Sequence, residues 1–454
     1  MVHARRDVFD TCSTSWGAEL DRPDLDRVVR IGLLGCGVVG SGVVRVLDAH
    51  AGDIATRTGA RLEVTRVAVR DGARDRGLPL ADAVFTTDPS LVVEGDDVDI
   101  VVEVMGGRSP AGALIRRAFA HGKPVVTANK ELVAHEGPEL FDAAEVAGVE
   151  LQYEAAVAGA IPIIKPLKES LAGDRIRRVV GILNGTTNYI LTRMTEDGAS
   201  YADSLDEAQR LGFAEADPDA DVGGHDAAAK CAILASLAFE TRIVADDVFR
   251  EGIERVSAKD VDVAARLGYV IKLLAIASES DDQVAVRVHP AFVPRAHPLA
   301  AVRDSYNAIY VQADAAGDIM FYGRGAGAAP TGSAVVGDIV HVARNLQLGS
   351  RGPRKISHSV KRIRPIQELS AQYYVLLDVD DRAGVLASVA TVFGGHDVSI
   401  GQVWQEGQGE RAQLVLITHR ALESNLRATV AELERTAGVL QVASVLRVES
   451  EAQG

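Results

Sequence analysis

The apolar positions divide the chain into three patterned regions. Val28–Leu34 is an apolar run suited to a strand buried on both faces of a parallel sheet. It leads into Gly35-Cys36-Gly37-Val38-Val39-Gly40 and then into an apolar stretch through Leu47 that predicts a helix. Further runs predict strands at Leu62–Val69, Val98–Met105, Pro124–Ala128 and Leu151–Glu154, and helices over Arg108–His121 and Glu131–Ala147. Strands alternating with helices of this length predict an α/β, doubly wound, Rossmann-like domain.

The second region mixes its periods. Arg175–Leu183, Val284–Phe292 and Ala308–Gln312 are strand-like, while Tyr189–Glu196, Ser204–Leu211 and Asp226–Phe239 are helical. A Gly-rich turn at Tyr322–Gly327 precedes a helix over Thr331–Leu346. This is expected to be an α+β substrate and dimerisation domain. A basic stretch follows, with Arg351, Arg354, Lys355, Lys361, Arg362 and Arg364, and reads as a solvated linker. Tyr373–Val379, Gly384–Phe393, Val398–Trp404, Gln413–Thr418, Ala421–Thr436 and Val439–Val448 then alternate as βαββαβ, a small ferredoxin-like domain. The expected boundaries are an arm at 1–27 and a dinucleotide domain at 28–152, completed by about 328–348. A substrate domain at 153–327, a linker at 349–370 and a C-terminal domain at 371–450 follow.

Charge and composition narrow the partners. The net charge of −15 and the 5% aromatic content argue against a nucleic-acid surface, which needs clustered cations and stacking rings. No apolar run approaches the ~18 residues that a membrane span requires. Residues 1–27 are rich in acids and lack the apolar core of a signal peptide. They read as a loose arm or a segment docked on a neighbouring domain. Three isolated cysteines, Cys12, Cys36 and Cys231, exclude a disulfide framework and any CxxC zinc site, which fits a cytoplasmic protein.

The chemistry concentrates in a few places. In Gly35-x-Gly37-x-x-Gly40 the glycines serve a tight turn, a close approach of backbone to pyrophosphate, and helix–strand packing. The helix that follows, starting with Val38 and Val39, offers free N–H groups and a positive dipole to phosphate. Arg70 at the end of the second strand can neutralise a 2′-phosphate, which favours NADP(H), while Asp71 leaves NAD(H) open. Lys130 closes the next strand at Thr127-Ala128-Asn129-Lys130, where it can meet the cofactor or the substrate. The acidic stretch Glu215–His225 ends at Asp226 and Lys230, four residues apart and so on one face of a helix. A helix-stabilising ion pair is the plain alternative for that pair. Neither an EF-hand nor a Gly-x-Ser-x-Gly elbow is present.

From about Val28 to Leu346 the chain resembles homoserine dehydrogenase. The match rests on the 35–40 glycine loop, Thr-Ala-Asn-Lys at 127–130, Tyr-Glu-Ala-Ala-Val-Ala-Gly-Ala-Ile-Pro at 153–162 and Asn-Gly-Thr-Thr-Asn-Tyr-Ile at 184–190. It continues in the acidic stretch ending at Lys230 and in Tyr-Gly-Arg-Gly-Ala-Gly at 322–327. The C-terminal part resembles an ACT domain through Asp381-Arg-Ala-Gly384-Val-Leu. The resemblance implies reversible NAD(P)H-dependent reduction of L-aspartate 4-semialdehyde to L-homoserine, on the route to threonine, methionine and isoleucine. It implies Lys230 as general acid and base with Asp226 as its partner, and Glu215 and Asp221 on the substrate. Met105, Gly185 and Gly325 would join the cofactor residues, the last two at the nicotinamide. Glu154, Val157, Gly159 and Ile161 would hold a monovalent cation, sodium or potassium, mostly by backbone carbonyls. Asp381 and Gly384 would bind an amino-acid effector, threonine, and the chain would form a homodimer or homotetramer. Gly332 and Ala383 depart from the family's frequent Ala and Pro. A chain ending near Ile366 is expected to keep activity and lose threonine inhibition.

Two rivals are weaker. A non-enzymatic redox sensor has no need of the Glu215, Asp226 and Lys230 set. A phosphoglycerate dehydrogenase needs a histidine–carboxylate pair after a strand, which the sequence does not offer.

Overall fold

The computed structural model describes residues 27–350, 360–407 and 409–449. The expected N-terminal arm, with Cys12, and the basic residues Arg351, Arg354 and Lys355 lie outside the described residues, apart from Arg27.

Strands β1 (Val28–Leu34), β2 (Arg61–Ala68), β3 (Phe85–Thr86), β4 (Ile100–Glu103), β5 (Val125–Thr127) and β6 (Leu151–Gln152) form a sheet ordered β3-β2-β1-β4-β5-β6. Every pairing in it is parallel. Both faces are covered, which explains why the strands are apolar throughout rather than alternating. Ile31 and Leu33 pack with Val43, Val335 and Ile339 on one side, and Leu34 and Val101 with Ile115 and Leu132 on the other. The strand order reverses between β1 and β4, so their carboxyl ends open the crevice where ligands bind in such sheets.

The Ala328–Gln347 helix returns from the middle of the chain and completes this domain against the Val38–Ala49 helix. The crossing is close. A methyl on Gly42 would lie 2.1 Å from the Ala328 carbonyl oxygen, and one on Gly332 would meet Gly42 carbonyl carbon at 2.8 Å. Glycine at 332 therefore fits a tighter crossing than alanine would allow.

The remaining strands are β7 (Ile176–Ile182), β8 (Phe249–Arg250), β9 (Tyr269–Ser280), β10 (Gln283–Pro294), β11 (Tyr306–Ala313) and β12 (Gly317–Arg324). They are followed by β13 (Arg362–Ile363), β14 (Ser370–Asp380), β15 (Ile400–Glu406), β16 (Arg411–Thr418), β17 (Ala421–Leu422) and β18 (Val439–Val448). They join one mixed sheet with the path β12-β11-β7-β9-β10-β18-β14-β16-β15. The C-terminal βαββαβ unit is thus continuous with the middle domain, because β18 adds to β10 in parallel, with Ala291 opposite Arg447 and Phe292 opposite Val448.

The expectation of a separable C-terminal unit behind a solvated linker is corrected by this junction. From Val360 onward the chain is tied down: Lys361 pairs with Glu279, β13 pairs with β10, and the Arg364 amide donates to the Val284 carbonyl at 2.8 Å. One face of β14, β16 and β18, with Tyr374, Leu376, Val415, Ile417, Leu446 and Val448, shares a core with the middle domain. The opposite face, with Tyr373, Val375 and Leu377, packs with Val389 and Phe393 of the Val385–Gly395 helix and Leu426 and Leu433 of the Glu423–Leu433 helix. No helix among the described residues is long and apolar enough to cross a membrane.

Candidate functional site

The glycine loop takes the geometry that its three glycines require. Gly35 adopts φ +100°, a left-handed turn that a side chain would strain. A methyl on Gly40 would sit 2.5 Å from the Gly35 carbonyl oxygen, whereas one on Gly37 would meet nothing within 4 Å. The open space at Gly37 is therefore where a ligand can approach the backbone. Val38 is exposed at the helix start, Val39 is partly buried on the core, and Met105 borders the loop beside Gly35. Burial raises the Cys36 thiol, opposed by its contact with the Ser41 hydroxyl and then by the charges of Arg76 and Arg45. Arg70 is exposed just beyond β2. The Asp71 carboxylate accepts from the Ala73 amide at 3.0 Å and so serves its own turn. Arg76 was missed in the sequence because only proximity in space links it to the loop.

Glu103, wholly buried at the end of β4, joins the exits of two strands. Its carboxylate accepts from the Met105 amide at 2.8 Å and the Thr127 hydroxyl at 2.7 Å. Asn129 then caps the Lys130–Ala147 helix, its Oδ1 accepting from the Leu132 amide, and donates to the Gly107 carbonyl at 2.7 Å. These bonds fix the start of the helix and thus the root of Lys130. No periodicity marks Glu103, which looked like one more residue of an apolar strand.

Lys130 does not turn to the glycine loop. It donates to Asp226 Oδ1, the far side of an ion pair that Lys230 completes at Oδ2, 2.7 Å away. The Lys130–Ala147 helix packs on the His225–Ala238 helix and so brings Lys130 to Asp226, 96 residues away in the chain. Lys230 also donates to the Leu183 carbonyl at 2.7 Å. Asn184 holds the cluster from below, donating to Asp226 at 2.9 Å and Asp221 at 2.7 Å while its Oδ1 caps the Gly185–Glu196 helix. Burial alone would raise the Asp226 carboxyl, but Lys230 and Lys130 outweigh it and hold it well below the usual range. Burial, together with the Lys130 charge, lowers the Lys230 ammonium, and Asp226 opposes them. Lys130, with nearly half its side chain exposed, is raised because Asp226 outweighs burial.

The acidic stretch separates into two sets. Asp226 bonds both lysines directly and Asp221 joins the cluster through Asn184, whereas Glu215, Asp217 and Asp219 stay exposed at the rim. His225 faces Asp219 at 3.3 Å and Arg250 at 2.7 Å, away from this cluster.

The Glu154–Ile161 loop shows how a cation would fit. The Glu154 carboxylate is spent on the amides of Ile163, Ile164 and Lys165, at 2.6–2.9 Å, so its side chain is not a free ligand. Among the described residues no amide is bonded to the carbonyls of Val157 and Gly159. Left-handed turns at Ala158 and Gly159 shape the loop, which packs on the Gly325 carbonyl. Oxygen donors from backbone suit a hard monovalent cation, and no cluster of three or more metal-ligating side chains occurs among the described residues.

In the C-terminal unit, Asp380 to Leu386 with Gln405 and Leu414 line a cavity of about 280 Å³. Gly384 starts the Val385–Gly395 helix at φ +93°, and Gln405, on β15, donates to Asp381 at 2.9 Å. Gln405 was not legible in the sequence, since β15 is distant from the 381–386 turn along the chain.

The parallel sheet, its glycine loop at the switch point and the buried Lys230, paired through Asp226 with Lys130 at the end of β5, define an oxidoreductase of the dinucleotide-binding class. Comparison with known proteins specifies it. The family model for homoserine dehydrogenase matches residues 162–340, and that for the homoserine dehydrogenase NAD-binding domain matches 35–154. The homoserine dehydrogenase of Corynebacterium glutamicum is 50% identical over 426 residues, 93% of this chain and 96% of that one. A solved homoserine dehydrogenase from Thiobacillus denitrificans is 41% identical, with a TM-score of 0.89 over 93% of this chain and 99% of its own. A hyperthermophilic archaeal homoserine dehydrogenase, solved in complex with NADPH, is 27% identical with a TM-score of 0.60 over 69% of this chain and 97% of its own. The chain belongs to the homoserine dehydrogenase family.

Proposed function

We propose that the protein interconverts L-aspartate 4-semialdehyde and L-homoserine, with Lys230 as the acid and base. The observation that carries this reading is the Lys130–Asp226–Lys230 chain of ion pairs at the carboxyl ends of the nucleotide-binding strands. The dinucleotide, when bound, supplies or accepts the hydride at the substrate carbonyl carbon. Lys230 stabilises the negative charge that develops on the carbonyl oxygen and then protonates it. Asp226 keeps that ammonium in place, and the Leu183 carbonyl fixes its direction. Glu215 and Asp221 offer carboxylates to the substrate ammonium.

The sign of the pH dependence follows from the lowered Lys230. Homoserine oxidation needs the neutral amine, so its rate should rise with pH through the Lys230 titration, which lies below that of a free lysine. Aldehyde reduction needs the ammonium and should fall over the same interval. A spectrophotometric assay in both directions tests the reading. Absence of homoserine-dependent reduction of either NADP or NAD overturns it, and identical pH profiles in the two directions overturn the role of Lys230.

Arg70 supports NADP(H), with NAD(H) as the alternative. Arg70→Ala is expected to raise KM for NADP(H) roughly tenfold, the worth of one charge-assisted hydrogen bond, and to leave KM for NAD(H) nearly unchanged. Equal changes for both nucleotides would remove Arg70 from cofactor recognition. A sodium or potassium ion held by the carbonyls of Val157 and Gly159, with those of Glu154 and Ile161, would brace the loop against Gly325.

The cavity at Asp381–Leu386 supports an ACT-type effector site, and threonine, an end product chemically distinct from the substrate, is the effector proposed. Gly384→Asp fills the cavity mouth at a left-handed position. It is expected to abolish inhibition by millimolar threonine while the uninhibited rate remains. Full-length protein that neither binds threonine in a calorimeter nor slows in its presence would leave the unit a purely structural one.

A further inference from the structure

Asn307, at the start of β11, is 1% exposed, and neither its Nδ2 nor its Oδ1 has a hydrogen-bonding partner among the described residues. A buried amide left unpaired at both ends is costly, and few native side chains are left so. Its setting is built rather than accidental. Asn188 donates to the carbonyls of Val302, Asp304 and Tyr306, at 2.9–3.3 Å, and Lys272 donates to Asn188 and to Val302. Burial brings the Lys272 ammonium down to about 8. These bonds fix the turn that delivers Asn307. On either side stand two glycines: a methyl on Gly325 would lie 2.2 Å from the Asn307 Cγ, and one on Gly185 would lie 2.6 Å from the Ser305 carbonyl and 3.5 Å from Asn307 Oδ1. Gly185 follows Leu183 and Asn184, the two residues bonded to Lys230 and Asp226. Gly325 leads into the helix that packs on the glycine-loop helix. Asn307 therefore lies at the seam where the nucleotide domain meets the acid–base cluster.

We propose that Asn307 binds the carboxamide of the nicotinamide, using its own amide as both donor and acceptor. The proposal rests on the dehydrogenase reading above, because the ring must lie beside the carbon whose oxygen Lys230 protonates, and so beside residues 183–185. A primary carboxamide offers two donors and an acceptor, the complement of an asparagine. The charged ends of an amino-acid substrate would call for ionised partners instead.

Calorimetric titration distinguishes this role from a structural one. Three ligands serve as probes: NADP, its 3-acetylpyridine analogue, which keeps the carbonyl acceptor and loses the amide donors, and 2′-phospho-ADP-ribose, which lacks the ring. Asn307→Leu, similar in volume, is expected to weaken NADP about tenfold and to leave 2′-phospho-ADP-ribose unchanged. The preference of the wild type for NADP over the acetylpyridine analogue should disappear in the variant. Asn307→Ser serves as the second variant should the leucine fail to fold, with the same pattern expected. Unchanged NADP affinity, with thermal stability kept or raised, overturns the proposal and makes Asn307 a water-solvated core residue. Equal weakening of all three ligands in both variants also overturns it, as damage to the fold. A wild type that binds neither NADP nor 2′-phospho-ADP-ribose overturns the NADP(H) reading and takes this proposal with it.

Discussion

Lys230→Ala is expected to lower kcat by about 10²–10⁴ in both directions, the range for a lost general acid or base, while the Kd for the dinucleotide stays within a few-fold. The two effects separate because of where the lysine is rooted. Lys230 belongs to the His225–Ala238 helix of the middle domain, and its bonds run to Asp226 and Leu183. The glycine loop and the arginines around it stand on the other domain and lose nothing. The substitution also leaves Asp226 paired with Lys130, so it does not strand a buried carboxylate. A large loss of stability is therefore not expected, which a thermal melt checks. If dinucleotide binding collapsed with kcat, Lys230 would be a folding residue and the assignment would fail. If kcat stayed within threefold of wild type, Lys130, the second ammonium on Asp226, would be the acid instead.

How much of this was legible in the sequence depends on how local each feature is. The glycine loop was legible because strand, turn and helix are contiguous and each glycine has its own steric reason. Asp226 and Lys230 were legible as a pair because four residues make one helical turn. The contact of Lys130 with Asp226 was not legible because its partner lies 96 residues away on another helix, and position at a strand end says only that a ligand is near. β9 and β12 were missed altogether. Tyr269–Ser280 is buried almost throughout, so it lacks the alternation that marks a half-exposed strand. Its bounding signals were Gly268 and Asp281-Asp282, which all adopt positive φ. They are ordinary turn residues until the hairpin is seen. The Ala258–Arg266 helix was missed as well, although Ser257 and Asp260 form a capping box. The junction of β18 with β10 had no sequence signature, since two residue pairs of parallel contact leave no period to read.

That junction reverses the expectation for a shortened chain. A protein ending at Ile366 is expected to aggregate or to melt without a cooperative transition, not to remain as an active, threonine-insensitive enzyme. The cut would strip the middle domain of Tyr374, Leu376, Val415, Ile417, Leu446 and Val448, which share its core. Phe292 would lose Tyr374, stacked on it at 4.6 Å, and Asp260 would lose the Tyr374 hydroxyl at 3.0 Å. Each large apolar side chain uncovered costs roughly 1.5–3 kcal/mol, so about four such losses rival the ~5–15 kcal/mol net stability of a domain. Charges would be stranded too. Glu251 would lose Arg447 at 2.5 Å, and Arg178 would lose Glu449. Burial already lowers Arg287 to about 10, with Glu449 opposing, so the cut would remove a carboxylate that favours its charged form. Differential scanning calorimetry and size-exclusion chromatography of the 1–366 chain check this. A monodisperse product with a melt within a few degrees of the full chain and an unchanged kcat would show the shared core to be dispensable. The same continuity would give an effector bound in the 381–386 cavity, as proposed above, a physical route to the site: β14 and β18 carry the 381–386 turn and the β10 edge in one sheet, and β10 packs on the helix that bears Lys230. A ligand that favours one position of that sheet biases the lysine without touching it, at the 1–3 kcal/mol typical of allosteric coupling. Removing the unit would destroy both partners of that coupling, whereas Gly384→Asp should silence the signal and leave the sheet in place.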